Sequence, residues 1–224
     1  IEFYPGVVEL FERLAGVVGE GSFSDLDLHV EHYVVSTGLA ELIRGSKLAP
    51  LLAGIWASEF IETPAGPGDD LTGTPKPGEI SQIAGFLDHT TKTRALFEIN
   101  KGINRQSGVS VNDSIPEDER RVPFKNMIYV ADGPSDVPSF SVVRKSGGLA
   151  YAVYDPVSAE QFAQAVALLE TGRVDGHGPA DYRAGSGTDM WLRLHVRRIA
   201  ERILKERKGT FARKVGPGPS FLEG

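Results

Sequence analysis

Two aspartates stand four residues apart in "VADGPSD", Asp132 and Asp136, directly after the apolar run "MIYVA" (127–131). Two carboxylates held this close repel one another. A hard divalent cation removes the conflict, and magnesium typically takes one or two protein carboxylates together with phosphate oxygens. Asp136 also precedes "VPSFSVV", with Pro138 early in that run. A helix cap is therefore the rival reading for Asp136, and Asp-Gly is also a common plain turn. A second short apolar run, "HYVVSTG" (32–38), ends in Ser36, Thr37 and Gly38. Where a strand runs into a helix, free backbone N–H groups and the positive end of the dipole face the loop and favour an anion. Ser36 adds a hydroxyl donor, and Gly38 allows close approach of the backbone. The rival reading is a simple N-cap at Ser36 or Thr37. The third group is Lys92, near the start of a helix in "DHTTKTRALF". A cation in the first turn opposes the macrodipole at a cost of about 0.3–1 kcal/mol. A local misfit of this kind marks a place to look for function. The rival here is a solvated surface lysine of the sort expected for Lys101, Lys125 and Lys145.

These groups must be positioned by the elements around them. "PGVVELFERLA" (5–15) reads as an amphipathic helix, with Pro5 at its entry and Val8, Leu10, Phe11 and Leu14 as an apolar stripe. Strands are expected over 32–38, 54–62, 127–131 and 149–155. Helices are expected from 39, over 90–102, over 137–147 and over 158–172, the last capped by Ser158 and stopped by Gly172. A long helix that turns basic fills 188–209. The stretch 63–79 is dense in proline and glycine and reads as a loop. So does the glycine-rich 172–187, while 103–126 reads as polar connection. No internal repeat is found. Strands and helices alternate, and the strands are short and apolar. The fold expected is α/β: a three-layer, doubly wound (Rossmann-like) parallel sheet with helices on both faces and a C-terminal helical extension. The expected division is a core over 1–172 and a C-terminal loop and helix over 173–224 packed on that core. In such sheets, ligands bind outside the carboxyl ends of the strands, which is where Ser36 and Asp132 stand.

Composition narrows the function. The chain has 224 residues, enough for a sizeable core, with a formal net charge of −6 and no cysteine. The acidic balance argues against a general nucleic-acid binder. The absence of cysteine excludes disulfides, thiolate metal sites and cysteine nucleophiles. No apolar run approaches the ~20 residues of a membrane helix. No signal peptide is visible, and a cytoplasmic setting is expected. The only methionines are Met127 and Met190, so residue 1 is expected to lie downstream of the natural N-terminus.

In combination, the proline-glycine helix entry, the serine-ended strand, the lysine at a helix start and the D-G-x-S-D strand end resemble the haloacid dehalogenase-like hydrolase superfamily. The nearest members are its phosphoserine-phosphatase-like phosphatases, and the resemblance covers roughly residues 4–155. "VVSTG" is similar to the family's second motif, which implies phosphate binding by Ser36, Thr37 and Gly38. Lys92 resembles the third-motif lysine that neutralises nucleophile and phosphate. "VADGPSD" resembles the fourth motif, implying Asp132 as a magnesium ligand and Asp136 as a second ligand or the partner of Lys92. Lys92, Ser36 and Asp136 would then form the catalytic set. The activity implied is magnesium-dependent hydrolysis of a small phosphomonoester through an aspartyl-phosphate. The family's first motif, an Asp-x-Asp at a strand end that supplies nucleophile and general acid, has no match here. "DLDLH" (25–29) has the letters but lies between a helix and the serine strand. The nucleophile and the cap are expected upstream of residue 1.

Two other readings compete. A non-catalytic or degenerate relative would bind a phosphorylated ligand or a protein partner. The final helix, with Trp191, Leu192, Leu194, Val196, Ile199 and Ile203 on an apolar side, is a candidate homodimer contact, although packing on its own domain is the expected use. A dinucleotide-binding oxidoreductase would want G-x-G-x-x-G after a strand. "GHGPADYRAG" (176–185) offers only G-x-G with no apolar strand before it. The five histidines, His29 and His32 among them, suggest no metal site.

Overall fold

The structure is a computed structural model that describes residues 2–19, 21–62, 80–105, 108 and 110–215. The proline- and glycine-rich 63–79 loop of the sequence reading lies outside the described residues. The contacts divide the chain into two compact units. One comprises Glu31–Ala180 and the first three residues; the other comprises Tyr4–Val30 and the chain from Asp181 onward. The division expected from the sequence lies at residues 172/173.

The first unit is mixed α/β. In chain order it holds β1 (Tyr33–Leu39), α2 (Ala40–Arg44), β2 (Gly54–Glu62), β3 (Ile80–Gly85), α3 (Thr91–Lys101), β4 (Ile128–Ala131), α4 (Val137–Lys145), β5 (Leu149–Tyr154), α5 (Ala159–Glu170) and β6 (Gly176–Pro179); α1 belongs to the second unit. Its strands form two three-stranded sheets, ordered β1-β2-β3 and β4-β5-β6. The pairs β1/β2, β4/β5 and β5/β6 are parallel. β2/β3 is antiparallel, an element the sequence pattern did not predict. β6 corrects a second expectation, because it lies inside the glycine-rich stretch read as loop. "GHGP" has no apolar signature, and pairing with β5 is what makes it a strand.

The helix ends follow local chemistry. Ser158 accepts from the Gln161 N–H and caps α5. Gly102 adopts φ +77° and closes α3, its N–H bonding to Glu98 O and Ile99 O. Both faces of β5 are buried. Ala150 and Ala152 pack with Phe140, Ala165 and Val174, while Tyr151 and Val153 fill the opposite side. Burial on both faces is why "LAYAV" reads as an unbroken apolar run rather than an alternating one. A second cluster joins Leu96 and Ile99 of α3, Val143 of α4, Phe124 and Met127. Tyr33 and Val35 of β1, Trp56 of β2 and Tyr129 of β4 pack against it. Side chains from both sheets therefore share one apolar layer. Each fully buried large side chain in it contributes about 1.5–3 kcal/mol.

The second unit pairs α1 (Val7–Gly19) with the long α6 (Gly187–Val215). Val196, Ala200 and Leu204 recur at helical spacing against Val18, Phe23 and Leu26. Leu194, expected on the apolar side of this helix, is instead exposed, as is Met190. At the start of α6 the Ser186 hydroxyl accepts from the Asp189 N–H, and Asp189 Oδ2 accepts from the Gly185 N–H. The fully buried Asp189 carboxylate is ion-paired to Arg13 Nε at 3.0 Å. A negative charge in the first turn also suits the dipole.

Candidate functional site

The predicted site residues of the first unit fall in two places: Ser36, Thr37 and Gly38 lie within β1 rather than beyond its end, and Asp132 and Asp136 follow the C-terminal end of β4. β4 is a short strand whose Tyr129 packs into the shared apolar layer. It delivers the chain to Asp132 and then to a turn through Pro134–Asp136 that opens α4. Asp136 does not act as a side-chain cap of α4. The residue is buried, and its carboxylate is turned inward. Oδ1 accepts from Lys92 Nζ at 2.8 Å and from the Tyr129 hydroxyl at 2.6 Å. Oδ2 accepts from the Ser135 hydroxyl at 2.9 Å. Three donors around one buried carboxylate satisfy most of its lone pairs, the condition under which a charge can be held away from water.

Lys92 is not a solvated surface lysine. It is 6% exposed and reaches across 44 residues of sequence to Asp136. Its misfit with the helix dipole is offset by two carboxylates. Asp136 neutralises the ammonium directly. Asp88 precedes α3, and its side chain accepts from the N–H groups of Thr90 and Thr91, while its carbonyl accepts from the Lys92 N–H. The Thr91 N–H, then the Thr91 hydroxyl and the Thr90 N–H, all donating to the side chain, hold the Asp88 carboxyl below its usual range. Tyr129 is shifted the other way. Burial, then the negative charge of Asp136 and the hydrogen bond to it, push the phenol well above the ordinary tyrosine range, with a smaller push from Asp132. Tyr129 therefore stays protonated and donates to Asp136 throughout the usual pH range.

Ser36, Thr37 and Gly38 lie where β1 departs from its ladder. Val35 pairs with Trp56 and Leu39 with Ser58, so three residues of β1 face one of β2. The departure lifts Thr37 and Gly38 into solvent exposure. Ser36 does not cap a helix, since α2 begins after Leu39 without a side-chain cap. Its Oγ accepts from the Gly38 N–H at 3.0 Å, which leaves its own proton free to donate outward. The Thr37 carbonyl accepts from the buried Ser58 hydroxyl at 3.1 Å, and the same Oγ accepts from the Leu87 N–H at 3.3 Å.

The structure thus joins Lys92 to Asp136 and places Asp132 on the same turn, exposed. Asp132 makes no hydrogen bond among the described residues. As a magnesium site the fit is partial. Asp132 offers a free carboxylate, whereas Asp136 is committed to Lys92, Tyr129 and Ser135 and keeps only spare capacity on Oδ2. Among the described residues no three His, Asp or Glu side chains gather as a metal site. One or two carboxylates suffice for magnesium only when phosphate oxygens and waters complete the shell. "DLDLH" lies in the second unit, around the 3-10 turn Gly21–Leu26, and not at a strand end.

Sequence reading missed Tyr129, Ser135, Ser58 and Asp88. Tyr129 gave a signal, because a tyrosine within an apolar strand needs a partner for its hydroxyl. Ser58 gave none, since a single serine in "GIWASEFIE" has no periodicity to distinguish it.

No family model matches the sequence, and no solved structure matches it. A curated relative, described as an uncharacterized protein of Borreliella burgdorferi (strain ATCC 35210 / DSM 4680 / CIP 102532 / B31), is 37% identical over 145 residues. That match takes in 64% of this chain and 49% of the relative, so the chain spans about half the length of the curated relative it matches.

Proposed function

We propose that the first unit is the phosphate-binding half of a magnesium-dependent phosphomonoester hydrolase of the haloacid dehalogenase-like kind. The observation that carries this reading is the buried Lys92–Asp136 pair beside a free Asp132 carboxylate. A surface lysine and a capping aspartate, the two bland alternatives, would not meet across 44 residues in a buried contact. Residues that pair in this way at the carboxyl end of a strand suit a site where negative charge is gathered.

In this reading a phosphoryl group sits between the β1 departure and the Lys92 ammonium. The Ser36 hydroxyl, with its proton directed outward, and donors of the exposed Thr37 hold its oxygens, while the Gly38 N–H stays on Ser36 Oγ and fixes that hydroxyl. Lys92 offsets the charge that shifts between nucleophile and leaving group, and donors fixed in advance cost no reorganisation at that moment. Asp136 and Tyr129 hold the ammonium in place. Asp132, with the spare capacity of Asp136, would hold magnesium, which supplies further charge neutralisation at the phosphate. In this reading the attacking carboxylate is supplied by a strand other than those described. β1 and β4 are each the outermost strand of their sheet, and both feed the same apolar layer. A strand placed between them would complete one doubly wound parallel sheet and bring its own carboxyl end beside Ser36 and Asp132. Its attack forms a carboxylate O–P bond as the ester P–O bond breaks and the alcohol leaves with a proton, and water then cleaves the aspartyl-phosphate to inorganic phosphate and the free carboxylate.

The test is turnover of p-nitrophenyl phosphate by the full-length protein, with and without magnesium. Wild type should turn over only with magnesium. Asp132→Asn should lose at least about a hundredfold with unchanged thermal stability, the usual scale for removing one electrostatic stabiliser. Unchanged turnover in that variant would remove Asp132 from the metal. A folded wild type that binds phosphate without turnover would favour the non-catalytic relative.

A further inference from the structure

The two parts of the proposed site, the β1 departure and the Lys92 helix, come from segments about fifty residues apart. Something must fix their separation, because a phosphoryl group cannot be held by both unless they stay in register. The ladder cannot do it. Between Val35 and Leu39 the β1/β2 pairing is interrupted, so Thr37 O is released from the backbone pattern at the point where spacing matters.

We propose that Ser58 is the positioning residue that sets this spacing; the inference rests on the phosphatase reading above. Ser58 is 5% exposed in the middle of β2, opposite Leu39. Its hydroxyl replaces the missing ladder bond by donating to Thr37 O at 3.1 Å. The same oxygen accepts from the Leu87 N–H at 3.3 Å. Leu87 leads into Asp88, whose side chain and carbonyl together bind the N–H groups of Thr90, Thr91 and Lys92. Lys92 in turn ends on Asp136. One hydroxyl thus links the backbone beside Ser36 and Gly38 to the segment that launches Lys92. A hydroxyl is the group this position needs, since it must donate to one segment and accept from the other at once. Alanine would leave Thr37 O and the Leu87 N–H without their shared partner and the two segments free to move independently.

The experiment uses the full-length protein and inorganic phosphate as the probe, read by amide hydrogen exchange over 36–39 and 87–92. In wild type, phosphate should slow exchange in both segments together. Ser58→Ala should speed exchange in both segments without phosphate and weaken the apparent phosphate affinity about tenfold. Ser58→Thr, which keeps the hydroxyl, should restore both. Ser158→Ala is the control, because it loses the α5 cap and some stability but touches neither segment. It should leave phosphate protection as in wild type. Ser58→Ala with wild-type phosphate affinity overturns the proposal, as does faster exchange in one segment only. A wild type that shows no phosphate protection overturns the phosphatase reading itself. In that case the joint response of the two segments to Ser58→Ala still decides whether Ser58 couples them.

Discussion

Replacing Lys92 and Asp136 singly and together measures how far the central contact of the site is shielded from water. The side chains are 8% and 4% exposed and meet at 2.8 Å. Breaking a buried pair by removing one partner costs about 3–5 kcal/mol, because the remaining charge is stranded. Here the stranded group is not wholly without help. After Lys92→Met, the Asp136 carboxylate keeps the Tyr129 and Ser135 hydroxyls, and hydrogen bonds to a charged group contribute about 1.5–3 kcal/mol each. The loss should therefore fall at the low end, about 3 kcal/mol. Asp136→Asn keeps the shape and leaves the ammonium facing a neutral amide, also at about 3 kcal/mol. The double variant removes both charges and strands neither. It should lose no more than either single variant, about 3 kcal/mol rather than the sum of about 6, a coupling of about 3 kcal/mol for groups in direct contact. Urea unfolding of the four proteins, followed by circular dichroism, gives the cycle. Losses that add to within about 0.5 kcal/mol, as for distant sites, would mean that the pair is solvated and does not gather buried charge at a site.

Two further predictions concern the scaffold. Glu31 is held near a pKa of about 2, against an ordinary 4.5, chiefly by its hydrogen bond from Arg121 and also by Tyr33. A depressed carboxylate contributes stability above pH 4.5 that is lost as pH falls toward 2. The pair is a quarter exposed, so screening reduces the contribution to on the order of 1 kcal/mol. Stability curves between pH 5 and pH 2 should flatten by that amount in Arg121→Gln, and an unchanged slope would refute the assignment. In the second unit, Gly6 adopts φ +77°, and a Cβ there would lie 2.5 Å from Arg183 N and 2.6 Å from Tyr182 C. Gly6→Ala should cost about 2–4 kcal/mol from backbone strain and overlap, read as a lower unfolding midpoint. A loss under about 0.5 kcal/mol would show that the contact with 182–183 is loose.

Much of the first unit was legible because the sequence carries its own signals. The strands at β1, β2, β4 and β5 are short apolar runs bounded by turn residues, and the helices α3, α4 and α5 have clear starts or stops. Ser158 and Gly102 act where their chemistry places them. The residue types at Ser36, Lys92, Asp132 and Asp136, and their positions at strand and helix ends, were likewise present in the linear order. β3 and β6 were not legible. A four-residue segment such as "GHGP" becomes a strand only when a neighbour offers its hydrogen-bonding edge, and that neighbour is set by the tertiary fold.

The roles of the polar residues divide in the same way. Sequence alone determined which residues could carry charge to the strand ends, because side-chain chemistry and helix or strand termini are local properties. Only the tertiary structure decided between the rival uses of each. Lys92 could have been solvated, and Asp136 could have been a cap. Burial of both, with Tyr129 and Ser135 arranged around the carboxylate, settled that choice. The union of α1 with α6 in one unit likewise came from packing between segments some 180 residues apart in the chain, which no local pattern encodes. Charge and periodicity are written along the chain, but desolvation depends on which distant segments close over a side chain. Burial was therefore what the sequence could not supply.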